Sequence, residues 1–180
     1  MCPLWLIFMK AKFVGVMVLT AVPLLASCSL LGTTLDYSKA ESEIAKSLNE
    51  AYGADGVKVD SVACDQAGKR PKPGSTFLCK AEIGAATVPV EVTVKDEDMN
   101  IAYKPTKKLY DLAKVGPTLQ PDVQKQVKVP VTISCGTGMK AAAPGETFPC
   151  ELTDGTGEKA GLNYKVGPMD GADSWAPRQD

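Results

Sequence analysis

Four of the six cysteines form two pairs with the same spacing. Cys64 and Cys79 are 15 positions apart, and so are Cys135 and Cys150. Such thiols can form disulfides, ligate a metal or carry redox chemistry. The chain has no Cys-x-x-Cys motif and no histidine, the residue that most often ligates transition metals and acts as a general base at neutral pH. Disulfides are therefore the expected chemistry of these thiols.

The sequence around the two pairs is itself repeated. Residues 73–79 (PGSTFLC) align with residues 144–150 (PGETFPC) at a constant offset of 71 positions. Val62 and Ile133 each stand two positions before the first cysteine of their copy. Four cysteines allow three pairings. A tandem duplication favours the pairing within each copy, Cys64 with Cys79 and Cys135 with Cys150.

Each copy is expected to form two strands joined by a polar loop with a Pro-Gly turn. Side chains alternate between the faces of a strand, so Phe77 lies on the same face as Cys79, and Phe148 on the same face as Cys150. Pairing of the two strands would bring the cysteines of a copy together beside an aromatic ring.

A helix is predicted before the first pair. Ser38 and Glu41 fit a capping box, in which two side chains satisfy the first free amides of a helix. Apolar residues then recur every fourth position, and Gly53 provides a stop. The apolar positions are Ala40, Ile44, Leu48 and Tyr52. The pattern indicates an amphipathic helix of about 14 residues that packs on its own sheet.

Strands follow this helix. They are expected at residues 57–62, from Cys79 to Ile83 and at residues 101–103, and strict alternation of valine over residues 88–94 indicates a half-buried strand. The fold class is therefore α+β, with an N-terminal helix packed on a small antiparallel sheet. This first module spans residues 38–105.

A second, degenerate copy of the module is expected at residues 106–167. A short helix is predicted at residues 106–115, ended by Pro117 and Pro121. Strands follow into Cys135 and at residues 147–152 and 162–166, but nothing equals the valine strand in length. Residues 168–180 are rich in Gly, Pro and Asp and are predicted to be a disordered tail in which Trp175 has no partner.

The N-terminus is typical of a secretory signal peptide at residues 1–27. Lys10 and Lys12 precede an apolar run that is too short to span a bilayer, which needs about 20 residues. Met9 is a second possible start, and Cys2 before it is given no function. Removal of residues 1–27 leaves 18 of the 20 basic residues against 21 acidic ones. This balance gives no indication of nucleic-acid binding.

The cleavage site resembles the lipobox of bacterial lipoproteins. Residues 25–28 read Leu-Ala-Ser-Cys. The resemblance implies cleavage between Ser27 and Cys28, acylation of Cys28, a lipidated tether at residues 28–37, and a place at the outer face of the cytoplasmic membrane. A plain secretory signal with an incidental cysteine, or an uncleaved anchor, are the alternatives.

The cysteine motif resembles a lipoprotein and membrane-protein domain of unknown function that is common in actinobacteria. The similarity covers residues 57–104 and, weakly, residues 127–166. The matching residues are Val62, Cys64, Gly74, Thr76, Phe77, Cys79 and residues 88–94, and in the second copy Ile133, Cys135, Gly145, Thr147, Phe148 and Cys150. The resemblance implies a cell-envelope location and no known activity.

Two charged segments are candidate binding sites. Residues 96–100 begin like a calcium loop, but Ile101 and Lys107 stand where that loop needs Gly and Glu, so a turn is expected. Lys69, Arg70 and Lys72 form a basic cluster inside the first cysteine loop. A solvated loop is the simpler interpretation, and contact with anionic wall polymer or lipid headgroups is the alternative.

These patterns favour a non-catalytic envelope lipoprotein that displays two disulfide-stapled modules for binding or scaffolding. No catalytic residue, metal or cofactor is predicted. The expected partners are the membrane, through the lipid anchor, and an envelope protein or wall polymer, but not nucleic acid. The alternatives are a carboxylate-dependent hydrolase of cell-wall material and a carrier of a lipid or small apolar ligand between helix and sheet.

Overall fold

The computed structural model describes residues 34–53 and 56–178. The predicted signal peptide, the predicted cleavage site and Cys28 all lie outside the described residues, as does the predicted tether up to residue 33. Within the described ranges, no helix is long and apolar enough to cross a membrane.

The first module is a helix followed by a four-stranded antiparallel sheet with strand order β1-β2-β3-β4. Its elements are α1 (Tyr37–Tyr52), β1 (Ser61–Cys64), β2 (Thr76–Ile83), β3 (Ala86–Val94) and β4 (Ile101–Pro105). Helix α1 lies over one face of the sheet, where Ile44 meets the valines of β3 in a common core. The predicted α+β arrangement is confirmed.

The core face of this sheet follows the alternation in the sequence. Val88, Val90, Val92 and Val94 on β3 are all 0% exposed, whereas the residues between them are half-buried. Complete burial of one such side chain contributes about 2 kcal/mol relative to exposure. The valine strand is thus the central strand of the first core.

The capping box predicted for α1 is wrong. The N-cap residue is Asp36, whose carboxylate accepts a hydrogen bond from the Lys39 amide at 3.0 Å. Glu41 instead accepts a hydrogen bond from the backbone amide of Cys64 at 2.9 Å. Asp36 is a strong N-cap residue, which leaves Glu41 available to hold the helix to β1.

The second module has seven elements. They are β5 (Lys108–Asp111), α2 (Leu112–Val127), β6 (Val131–Ser134), β7 (Met139–Ala142), β8 (Thr147–Asp154), β9 (Lys159–Lys165) and β10 (Ser174–Pro177). Four of them form an antiparallel sheet with the order β10-β9-β8-β6, and β5 pairs with β7 in a two-stranded antiparallel ribbon.

The helix predicted at residues 106–115 is wrong. Residues 108–111 form β5, because they pair with β7 some 30 positions further along the chain, which a local periodicity cannot reveal. Helix α2 begins only after its N-cap Asp111, and it continues through Pro117 and Pro121. Each proline removes one backbone donor, so packing against the sheet must maintain the helix.

Gly116 is the residue of α2 that allows this packing. A Cβ atom built on Gly116 would lie 2.1 Å from the carbonyl oxygen of Ile133 on β6. Any side chain at this position would push the helix away from the strand. The missing Cβ therefore lets the backbones of α2 and β6 approach closely.

The prediction of a disordered tail is also wrong. Residues 174–177 form β10, which pairs with β9 and places Trp175 opposite Tyr164. Trp175 is half-buried against the second core and is not a free aromatic. The tail is ordered because it completes the sheet as its fourth strand, in spite of its polar composition.

Strand β9 occupies the place of the valine strand that the second copy was expected to lack. Phe77 is opposite Val92 in the first module. Phe148 is opposite Tyr164 in the second. Matching positions are thus 71 apart in β2 and β8 (77 and 148) but 72 apart in β3 and β9 (92 and 164). One extra residue in the second hairpin hides the repeat from a fixed-offset comparison.

The ribbon of β5 and β7 belongs to both cores. Leu109, Met139 and Ala141 pack against the first core, whereas Tyr110 and Ala142 are buried in the second. Side chains of a strand point alternately to its two faces, so the ribbon presents one face to each module. The modules are therefore joined by shared packing as well as by the chain.

Candidate functional site

Both predicted disulfides are confirmed. Cys64 bonds to Cys79, and Cys135 bonds to Cys150. Cys64 and Cys79 are directly opposite each other on β1 and β2. In each module the disulfide joins the strand after the helix to the next strand of the sheet.

An aromatic residue lies beside each disulfide, as the alternation predicts. Phe77 is buried two positions before Cys79, and its ring packs on that of Tyr37 in a T-shaped arrangement with the ring centroids 5.4 Å apart. Phe148 is stacked on Tyr164 with ring centroids 4.8 Å apart and contacts Tyr110 edge-on at 5.5 Å. The second module therefore has the larger aromatic cluster.

Asp173 is the centre of a polar cluster that the sequence analysis missed. One carboxylate oxygen accepts hydrogen bonds from Lys108 Nζ at 2.9 Å and from the Gly167 amide at 2.8 Å. The other accepts from the hydroxyls of Tyr110 at 3.0 Å and Tyr164 at 2.7 Å. The cluster ties the segment before β10 to β5 and β9.

This environment shifts the pKa values of the cluster in a consistent way. Burial alone would raise the pKa of Asp173, but the hydrogen bonds from Gly167, Lys108 and the two tyrosines outweigh it and lower the pKa below 3.8. Burial, with the hydrogen bond to Asp173, raises the pKa of both Tyr110 and Tyr164. All four donors favour an ionised Asp173.

A groove with a volume of 280 Å³ lies between the two modules. Apolar side chains from both modules line it: Tyr52 on α1, Leu109 on β5, Leu119 on α2 and Met139 on β7. Tyr110 and Tyr164 of the Asp173 cluster also border the groove. The volume is near the lower end of the range for small-molecule sites, about 300–1,000 Å³.

Polar groups stand on the α2 side of this groove. Thr118 is exposed, and Lys114 lies 3.8 Å from the carboxylate of Asp111. Asp111 also accepts a hydrogen bond from the Ala113 amide as the N-cap of α2. The groove can accommodate an apolar group whose polar end faces Thr118 and this ion pair.

This position differs from that in the carrier hypothesis, which placed a ligand between helix and sheet. In the first module that interface is filled, since Ile44 is 0% and Leu48 is 4% exposed. The groove lined by apolar side chains lies between the modules, which the sequence could reveal only if the pairing of β5 with β7 were known.

The two charged segments have the conformations that the sequence predicts, a turn at residues 96–100 and an exposed basic loop at residues 69–72. Residues 96–100 form a turn in which Asp96 accepts hydrogen bonds from the backbone amide and the side-chain amide of Asn100. Lys69, Arg70 and Lys72 are exposed on the first cysteine loop, whereas Pro71 is buried. The structure does not bring these two segments together with the inter-module groove.

Residues 21–99 match the family described as a domain of unknown function (DUF4333), which covers less than half of the 180 residues. The match includes Cys28 and both cysteines of the first module. The first module is thus similar to a disulfide-containing domain of unknown function. No curated protein and no solved structure is significantly similar to the chain.

Proposed function

We propose that this protein is a non-catalytic lipoprotein of the cell envelope, held at the outer face of the cytoplasmic membrane by acyl chains on Cys28. Its two disulfide-stapled modules act together as one binding or scaffolding body. An envelope protein or wall polymer is the proposed partner.

The observation that supports this proposal is the disulfide in each module. Disulfides persist in proteins that mature outside the cytosol and are rare in those that remain inside it. Four of the six cysteines are joined in this way. The lipobox-like residues 25–28 supply a matching export route and leave Cys28 for acylation.

The intact mass of the protein extracted from membranes tests this proposal. The expected mass corresponds to a chain that begins at Cys28, carries acyl chains and has lost four thiol hydrogens. A C28S variant should lose the acyl mass and leave the membrane fraction. A mature chain without acyl chains, or one with free thiols at the four paired positions, would contradict the proposal.

The inter-module groove is the candidate surface for the partner. A photo-crosslinking residue at Thr118, on the exposed rim of the groove, should capture a defined envelope protein or wall polymer in intact cells. The matched control is the same residue at Thr132, which is exposed on β6 outside the groove. Equal capture at the two positions, or none at either, would argue against the groove as a binding surface.

The groove also favours a second candidate function, the carriage of a small apolar ligand. Native mass spectrometry of the protein released gently from membranes would then show a bound small molecule. The substitution T118W should block the groove from its rim and remove that mass. Capture of a macromolecule at Thr118 together with an empty groove would decide against this candidate.

A further inference from the structure

The first cysteine loop carries three basic side chains that bind nothing in the described part of the chain. Lys69, Arg70 and Lys72 are exposed, and within residues 34–53 and 56–178 no acidic side chain forms an ion pair with them. Pro71 between them is buried and fixes the loop against the domain. The loop therefore presents three charges on a well-supported backbone.

This loop is attached to the first described residues of the chain. The Leu35 amide donates a hydrogen bond to the Lys69 carbonyl at 3.0 Å, and the Tyr37 hydroxyl donates one to the Gly68 carbonyl at 2.9 Å. Leu35 itself is 8% exposed and belongs to the first core. The first described residues thus lie directly beside the basic loop.

The distance to the proposed anchor is limited by chain length. Leu35 is seven positions after Cys28, and a fully extended chain over seven positions reaches at most about 25 Å. Wherever the intervening residues lie, the basic loop cannot move far from a membrane that holds the acyl chains of Cys28.

We propose that Lys69, Arg70 and Lys72 bind anionic phospholipid headgroups of the membrane in which the protein is anchored, and so orient the first module with this loop toward the bilayer. The inference rests on the proposed lipid anchor at Cys28. The mature chain is acidic overall, with 18 basic against 21 acidic residues. An anionic surface would therefore attract this loop more strongly than the rest of the domain.

The second module shows that the repeat does not require this charge. At the offset of 71, Lys69 corresponds to Lys140, whereas Arg70 and Lys72 correspond to Ala141 and Ala143. In the second loop, Met139–Ala142 form β7 and pair with β5. Two of the three basic residues, Arg70 and Lys72, are thus confined to the copy that is next to the anchor, which favours the membrane over a wall polymer as the partner.

The test uses the natively processed protein, reconstituted in vesicles and treated with a membrane-impermeant amine reagent. Modification of each lysine is quantified by mass spectrometry in phosphatidylcholine vesicles with and without one-third phosphatidylglycerol. We expect the anionic lipid to reduce modification of Lys69 and Lys72 by roughly threefold or more, and high salt to restore it. Lys140 should be unaffected.

Two substitutions with the same change of charge sharpen the test. R70Q keeps both reporter lysines and should weaken the binding of the loop to headgroups by about fivefold, the contribution of one basic residue near an anionic membrane, so that most of the protection of Lys69 and Lys72 is lost. K80Q removes an exposed lysine from the outer face of β2 and should change nothing.

The outcomes separate the two proposals. Intact mass of the same sample reports the acyl chains, and a chain without them would overturn both the anchor and this orientation. An acylated chain whose Lys69 and Lys72 react equally in both vesicles would overturn the headgroup contact alone. Protection that appears only after addition of purified anionic wall polymer would also overturn it, and would assign the loop to that polymer.

Discussion

The two modules share one plan but fill it with different chemistry. Where the first module has apolar residues, the second has polar ones at three matching places. Two of these places are matched by the strand registers. Val92 and Tyr164 match because they lie opposite Phe77 and Phe148, and Ile101 and Asp173 match because each stands two positions before the residue, Tyr103 or Trp175, that lies opposite Val92 or Tyr164. The third place is matched by backbone contacts: Leu35 bonds to the carbonyl of Lys69, and Tyr110 pairs with Lys140, the counterpart of Lys69. The pairs are Val92 and Tyr164, Ile101 and Asp173, and Leu35 and Tyr110.

The consequence is a different way of holding the last strand of each sheet. In the first module, Leu35, Val92 and Ile101 join one apolar core. In the second, Asp173 binds both tyrosines and Lys108, which fixes the segment before β10 by directional bonds. Apolar packing tolerates small shifts, whereas a carboxylate with four donors specifies one arrangement.

The helices are attached differently as well. Glu41 of α1 reaches to the Cys64 amide and stands between the helix and β1. Gly116 of α2 lets the helix lie directly on β6. Helix α1 is therefore held through a side chain, and α2 through close contact of the two backbones.

Removal of either disulfide should have the largest effect on stability and should distinguish the two modules. Each closes a loop of 15 residues, so C64A/C79A and C135A/C150A should each cost about 3 kcal/mol in denaturant unfolding. The two double variants should then differ in the amide hydrogen exchange of the loop that each disulfide closes. Residues 65–75 should exchange faster without their disulfide, whereas residues 139–142 remain protected by the ribbon. Equal loss of protection in both loops would contradict this difference.

The close contact of α2 with β6 is the next largest effect. G116A should lower the free energy of unfolding by about 1–3 kcal/mol, because the new methyl group collides with the Ile133 carbonyl. G53A is the matched control, since a Cβ on Gly53 meets no atom within 4 Å. If thermal unfolding of G116A matched that of G53A, the two backbones would not be in contact.

Loss of the carboxylate at Asp173 should affect the second module selectively. D173N should cost about 1–3 kcal/mol, because the amide nitrogen of Asn cannot accept a bond from a tyrosine hydroxyl or from Lys108. D170N removes the same charge from an exposed position and should be nearly neutral. Increased exchange in β4 as well as β10 would show that the cluster does not act locally.

The same residue predicts a pH dependence. The folded pKa of Asp173 is lower than its ordinary value of 3.8. Its contribution to stability is therefore complete above pH 3.8 and is lost as the pH falls through the folded pKa. Urea midpoints measured from pH 7 to pH 2 should fall less steeply at the acid end for D173N than for the wild type. Parallel curves would contradict the lowered pKa.

The smallest expected effect is in the first module. E41A leaves the amide of Cys64 without its acceptor and should cost about 1 kcal/mol. E43A makes the same substitution at an exposed position two residues later on α1 and should have little effect. Faster amide exchange at Cys64 in E41A, but not in E43A, is the direct readout.

The sequence predicted features that depend on local pattern. The valine alternation located β3, and the repeated cysteine spacing located both disulfides. It did not predict β5, because the partner of Lys108–Asp111 lies at Met139–Ala142. It did not predict β10, because residues 174–177 are ordered by pairing with β9 in spite of their composition. Asp173 was missed because it precedes β10 in the same segment. A comparison of the two copies at a fixed offset of 71 also fails beyond the second hairpin, which is one residue longer.

The groove could not be predicted from any single stretch of sequence. Its lining comes from α1, β5, α2, β7 and β9, which only the assembled fold brings together. The basic loop was visible as a cluster of charges. The sequence did not reveal the hydrogen bond from the Leu35 amide to the Lys69 carbonyl, which connects that loop to the first described residues of the chain.

The ribbon would be missing from a chain that contained only the first module. The family match ends at residue 99, whereas the ribbon that covers part of the first core begins at Lys108. Near Gly84, at the tip of the β2–β3 hairpin, this cover is provided by Met139. A protein with one module must shield that apolar patch with another segment, a second subunit or a bound partner. In this protein the ribbon of the second module covers that patch from within the same polypeptide.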